Sequence, residues 1–123
     1  MRRLVLGDIH GAYRALVQCF NRSKFDYNND KLIVLGDICD GWPETYEAIE
    51  EILKVKNLVY ILGNHDNWCL DFGIYGLQPN IWTSQGGQAT IDSYTKHGNR
   101  MPEGHVKFFQ NALLKYVEDN KLF

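Results

Sequence analysis

Three short runs of branched apolar residues constrain this chain more than any other feature: "RLVL" at residues 3–6, "KLIVL" at 31–35 and "LVYIL" at 58–62. Their hydrophobicity is continuous rather than alternating, the pattern of strands covered on both faces in a parallel sheet. Parallel neighbours need crossover connections, and both intervening segments carry helical spacing. Ala12, Leu16, Val17 and Phe20 recur at that spacing in the first, and Tyr46, Ile49, Ile52 and Leu53 in the second, where Pro43 and Glu44 suit a first turn. The expectation is an α/β fold built on a βαβαβ unit with right-handed crossovers. With 123 residues, 45% of them hydrophobic, the chain can fill one core and not two, so residues 1–123 read as a single domain.

Beyond the third run the pattern weakens. Residues 73–102, with Gly86 and Gly87, read as loop apart from a short helix around 89–94. An amphipathic helix is predicted over 104–117, with Val106, Phe109, Leu113, Tyr116 and Val117 on one face. A formal charge of −2 without any Lys/Arg block provides no electrostatic footprint for nucleic acid or an anionic membrane. No apolar run approaches the roughly 20 residues that span a bilayer, and the N-terminal stretch is too short for a signal peptide, so a cytoplasmic protein is expected. Cys19, Cys39 and Cys69 are odd in number and lack CxxC spacing, which argues against a disulfide framework or a thiolate zinc site.

The chemistry sits where the strands end. "LGDIHG", "LGDICDG" and "LGNHDN" each run from strand to glycine to a hard oxygen ligand, with histidine following closely in the first and third. In an open parallel sheet the carboxyl ends of the strands form the ligand crevice, so Asp8, His10, Asp37, Asp40, Asn64, His65 and Asp66 should converge on one edge. Such a crowd of acids and imidazoles repels itself unless a cation sits within it. Carboxylate, imidazole and amide oxygen without thiolate suit Mn²⁺, Fe or Zn²⁺, and a central acid can bridge two ions. Two such ions polarise a phosphoryl oxygen and supply hydroxide at neutral pH, which points to phosphoester hydrolysis.

The blocks "GDIHG", "GDICDG" and "GNHD" resemble the first three signatures of the calcineurin-like metallophosphoesterases. "WTSQGGQATIDSY", residues 82–94, resembles the segment after the third block in bacterial and phage-type Ser/Thr protein phosphatases and in symmetrical diadenosine tetraphosphatases. The resemblance implies a four-layer α/β/β/α sandwich, of which this chain is the βαβαβ half with the second sheet largely missing. It also implies two divalent metal ions, Mn²⁺ foremost with Fe or Zn²⁺ as alternatives. Asp8 and His10 would hold the first, Asp37 would bridge, and Asn64 would hold the second. His65 would serve as general acid to the leaving oxygen or as a donor to the transition state, and Asp40 would orient its imidazole. The implied activity is attack of a metal-bridging hydroxide on a phosphate ester, in the manner of a Ser/Thr protein phosphatase. The alternatives are a dinucleoside polyphosphate or small-phosphoester hydrolase, or a catalytically incomplete interaction and assembly module.

Three departures from that pattern matter. Protein phosphatases carry arginines that clamp the substrate phosphate at the positions occupied here by Gly41 and Leu62, and a glutamate in place of Asp66. Their later blocks supply further histidines from a second sheet, whereas this sequence stops at "EDNKLF", with "KLF" resembling the start of such a strand. A truncated sequence is therefore expected, with a bare apolar sheet face that promotes self-association. His97 and His105 follow no buried strand and are not expected to bind metal. Simpler roles are expected elsewhere: Trp42, Trp68 and Trp82 pack around the site mouth, and Arg14, Lys96 and Arg100 are solvated. Asp66 caps or pairs locally, the Cys39 thiol is raised and inert, and Glu50 with Lys54 forms an exposed helical pair.

Overall fold

The computed structural model describes residues 2–123. Arg3–Leu6 (β1), Lys31–Val34 (β2) and Asn57–Tyr60 (β3) form a parallel sheet in the order β1-β2-β3, with Leu4 opposite Leu32 and Leu32 opposite Leu58. Tyr13–Ser23 (α1) and Thr45–Ile52 (α2) are the crossovers the spacing required. Leu16 and Phe20 of α1 and Ala48, Ile49 and Ile52 of α2 are buried in one cluster with Leu32 and Val34. Double-sided burial holds for the central strand, where Leu32, Ile33 and Val34 are wholly buried. It fails for β1, an edge strand whose Leu4 and Leu6 pack on the core while Val5 points the other way and is 46% exposed.

The segment after β3 is far more ordered than its sequence pattern implies. Asn64–Tyr75 (α3) begins directly after Gly63, whose N–H is accepted by the Asp66 carboxylate at 3.0 Å, and it ends on Gly76 in the left-handed conformation at φ 69°. Asn80–Trp82 (α4) and the wide turn Thr83–Gly87 lead into Gln88–Thr95 (α5), the short helix foreseen around 89–94. Trp82, Ile91 and Tyr94 are buried, so tertiary packing rather than local periodicity orders this stretch.

Glu103–Gln110 (α6) stops well short of residue 117. The free edge of β3 captures the chain instead: the Leu113 N–H donates to Tyr60 O at 2.9 Å and the Leu62 N–H donates to Leu113 O at 2.8 Å. Val117–Glu118 (β4) and Lys121–Leu122 (β5) then form an antiparallel hairpin across Asp119 and Asn120, both at positive φ (51° and 63°), as a two-residue primed turn demands. The strand expected at "KLF" thus exists and pairs with β4. Lys31 on the sheet, the Tyr116 hydroxyl and Arg3 bind Glu118 of the hairpin, and these contacts, Lys31 foremost, hold the Glu118 carboxyl down to about 2. Val5, Leu35, Leu113, Leu114, Val117 and Leu122 stay exposed. Among the described residues no helix is long and apolar enough to cross a membrane.

Candidate metal centre

Hydrogen bonds between successive turns draw the three strand ends together. The Ile9 and His10 N–H groups both donate to Asp37 O, at 3.1 and 2.9 Å, and the Gly11 N–H donates to Ile38 O at 2.7 Å. The turn after β2 is fastened in its turn to α3, because the Asp66 carboxylate accepts the N–H groups of Asp37 (2.8 Å) and Ile38 (3.0 Å) as well as that of Gly63. Asp66 is fully buried, and burial raises its pKa against the pull of those donors. Gly36, at φ 96°, permits the approach: a Cβ there would stand 2.6 Å from the Gly63 nitrogen. Three chemistry-bearing residues adopt left-handed backbone, His10 at φ 49°, Asp37 at φ 49° and Asp40 at φ 73°. That conformation costs a non-glycine residue about 1 kcal/mol or more, and it aims successive side chains into the same crevice.

Asp8, His10 and Asp37 offer ligand atoms that all lie within 4.8 Å of one another. The His10 Nδ1–H donates to Cys39 O at 2.9 Å, and since a carbonyl can only accept, Nε2 carries the free lone pair. That Nε2 lies 3.7 Å from Asp8 Oδ2. Two carboxylates and one oriented imidazole are a donor set that fits a divalent cation.

A second constellation faces the first. The His65 Nδ1–H donates to Asp40 Oδ2 at 2.7 Å, leaving its Nε2 unengaged by the carboxylate, and the His65 and His10 rings meet edge to face with centroids 5.5 Å apart. Asp40 is buried and receives two more donors: Trp82 Nε1–H at 2.6 Å on Oδ2 and the Thr90 hydroxyl at 2.6 Å on Oδ1. The Asp40 N–H donates back to Thr90 Oγ1 at 2.9 Å. Trp68 closes the other side of His65, with ring centroids 5.6 Å apart.

The sequence profile described as calcineurin-like phosphoesterase matches residues 1–121. This chain belongs to that family. Among curated relatives, a symmetrical bis(5'-nucleosyl)-tetraphosphatase of Coxiella burnetii is 33% identical over 75 residues, 61% of this chain and 25% of that protein. Serine/threonine-protein phosphatase 1 of Salmonella typhimurium is 30% identical over 83 residues, 68% of this chain and 38% of that protein. The chain thus spans well under half the length of these relatives. Two solved structures share the fold: a metallophosphoesterase from Sphaerobacter thermophilus (TM-score 0.68, 19% identity, 96% of this chain and 43% of that one) and a putative diadenosine tetraphosphatase (TM-score 0.64, 21% identity, 90% and 42%).

Within this calcineurin-like phosphoesterase fold, the remaining residues sort as follows. Asn64 is exposed at the first position of α3, beside His65 in the chain. His105 lies away from the crevice, buried between Tyr94 and Glu50, and His97 stacks on Tyr46 at 3.8 Å. The Cys39 thiol is pushed well above its ordinary pKa, by burial first and contact with Cys69 second, which removes it as a nucleophile. Asp66 is an internal bracket rather than a cleft residue. Thr90 is the site residue that motif reading missed, and Trp82, expected to pack at the site mouth, is instead wholly buried on Asp40. Their signal was the segment 82–94, whose turn delivers Gly86 O to the Gly41 N–H at 3.1 Å and so docks Trp82 and Thr90 against Asp40.

Proposed function

We propose that this chain contributes the metal-binding and proton-handling half of a phosphoesterase that hydrolyses phosphate esters of proteins, nucleotides or small molecules. The observation that carries this reading is the convergence of Asp8, His10 and Asp37 within 4.8 Å, facing an oriented His65–Asp40 pair. Asp8 and His10 would hold one divalent ion, Asp37 would be shared, and Asn64 would serve a second ion, with Mn²⁺ the proposed metal for an oxygen- and nitrogen-only donor set. When bound, such ions polarise a phosphoryl oxygen and lower the pKa of a coordinated water.

The chain's own residues define the remaining chemistry. Cys39 O fixes the His10 tautomer so that Nε2 faces the acids. Asp37 Oδ1 also accepts the His65 N–H at 3.2 Å, which ties the shared acid to the residue that would protonate the leaving oxygen. Asp40, steadied by Trp82 and Thr90, holds the His65 Nδ1 proton and thereby reserves Nε2 for the substrate side. A cytoplasmic setting suits the three free cysteines.

The test is calorimetric Mn²⁺ binding alongside p-nitrophenyl phosphate turnover. Asp37→Asn should lower both together, whereas His65→Ala should lower turnover and leave metal content intact. Undiminished Mn²⁺ binding in Asp37→Asn would overturn the assignment of the shared ligand.

The exposed apolar side chains around the hairpin, Val5, Leu35, Leu114, Val117 and Leu122, favour a second reading, self-association of the chain. Analytical ultracentrifugation of the wild type against Leu114→Lys with Leu122→Lys checks it. Concentration-dependent dimers that the double variant abolishes are expected, and a monomer at every concentration would refute it.

A further inference from the structure

Trp42 walls two concavities at once. On one side it lines the crevice with His10, Asp40, His65 and Gln85. On the other it lines a groove of about 590 Å³ between the start of α1 and the start of α2, together with Arg14, Glu44, Glu47 and Lys96. The backbone beneath it is fixed, since the Trp42 N–H donates to His10 O at 2.9 Å and the Glu44 N–H donates to Gly11 O at 3.1 Å. The residue is nevertheless 62% exposed, while Trp82 is wholly buried on Asp40 and Trp68 is half-buried on His65. Packing accounts for those two tryptophans and leaves Trp42 without a comparable partner among the described residues.

We propose that the Trp42 groove is the subsite for the leaving group of the substrate, and that the group it selects is a nucleoside phosphate. This inference rests on the reading of the neighbouring crevice as a phosphoester-hydrolysing site. The groove's chemistry specifies the ligand class. An exposed indole face offers a stacking platform for a flat base. Arg14 and Lys96 supply the cations for phosphate, with Arg14 held only loosely, its Nε 3.6 Å from Glu44 Oε1 and its side chain 88% exposed. Glu44 and Glu47, the latter with Oε1 buried 3.3 Å from His97 Nε2, disfavour a bare polyanion, while Glu44 can accept a hydrogen bond from a sugar hydroxyl. A phosphoserine side chain uses neither the indole nor Glu44. A base, a sugar and a phosphate together use both.

The experiment follows the Trp42 indole N–H resonance of the ¹⁵N-labelled, metal-free chain, assigned by its loss in Trp42→Leu, during titration with ADP, adenosine and pyrophosphate. ADP should shift the resonance saturably, and adenosine should shift it at higher concentration. Pyrophosphate should not. Arg14→Ala with Lys96→Ala should weaken ADP about ten-fold while adenosine binding is retained, and Trp42→Leu should weaken ADP by about the same factor. An indole that ADP leaves unmoved, or that pyrophosphate moves as strongly as ADP, overturns the proposal. Because the readout needs no metal, it separates from hydrolysis. ADP binding at Trp42 in a chain that hydrolyses nothing with Mn²⁺ would leave a nucleotide site but refute the phosphoesterase reading and with it the leaving-group role, whereas turnover without ADP binding would refute the subsite alone.

Discussion

Thr90→Val is the sharpest probe of how the site is held. The substitution keeps the β-branched shape of a fully buried side chain and deletes only its hydroxyl. That hydroxyl donates to Asp40 Oδ1 at 2.6 Å and accepts the Asp40 N–H at 2.9 Å, so one change removes a bond to a carboxylate and strands a buried backbone donor. A hydrogen bond to a charged group contributes about 1.5–3 kcal/mol, and an unsatisfied buried donor costs about 1–3 kcal/mol, so a loss of roughly 3–5 kcal/mol is expected. For 123 residues at ~2.1 cal/mol/K of unfolding entropy per residue, this corresponds to a fall in Tm of about 12–19 °C. Thermal unfolding followed by circular dichroism, with Thr90→Ser as the hydroxyl-retaining control, measures it. The control should lose only the methyl contribution, on the order of 1 kcal/mol. A Thr90→Val variant within about 0.5 kcal/mol of wild type would mean that water or Thr45 Oγ1, 3.4 Å from Thr90 Oγ1, replaces the missing partner and that the argument from a dry Asp40 is wrong.

Other perturbations follow from the same geometry. Gly36→Ala must place a methyl 2.6 Å from the Gly63 nitrogen at φ 96°, and urea unfolding should show a loss of at least about 2 kcal/mol; near-wild-type stability would refute the close approach. Burial lowers the pKa of His105, so the unfolded chain takes up its proton first. Its stabilising contribution is complete above about 6.5 and is lost as pH falls through the folded value, and His105→Gln should flatten the pH dependence of Tm in that window. Glu118, whose carboxyl is held down to about 2, anchors the hairpin above its ordinary value of 4.5 and releases it as pH falls towards 2. Protection of the Tyr116 and Phe123 amides, which donate to each other's carbonyls across the hairpin, should fall over that range relative to the intrinsic exchange rate, and Glu118→Gln should show the lowered protection already at pH 7.

What the sequence made legible was whatever depends on spacing. β1, β2 and β3 with their crossovers could be read because each apolar run ends in a glycine and each connection shows one helical stripe. The pairing of Asp40 with His65 followed from family resemblance, and the convergence of Asp8, His10 and Asp37 from the rule that a parallel sheet gathers its strand ends. Three features escaped for separate physical reasons. α3 has little amphipathic contrast, because the acid Asp66 is buried beside the inward Trp68, Cys69 and Phe72 while the apolar Ile74 and Tyr75 are exposed. The end of α6 was misjudged because Leu113 fits a helical face as well as it fits the edge of β3, and the backbone donors and acceptors of Tyr60 and Leu62 decide between the two. The hairpin was announced by "DN", a dipeptide suited to left-handed backbone, but two short strands carry too few residues for periodicity to register.

The left-handed backbone at His10, Asp37 and Asp40 has a consequence for how such a chain evolves. Each of these residues sits where glycine would be more comfortable, so drift under selection for thermal stability alone would erode the crevice from within. Histidine and aspartate at three torsions that glycine would relax tie the chemistry of the crevice to a local cost in stability. The same torsions make the crevice a place where a more stable descendant and an inactive one are reached by the same substitution.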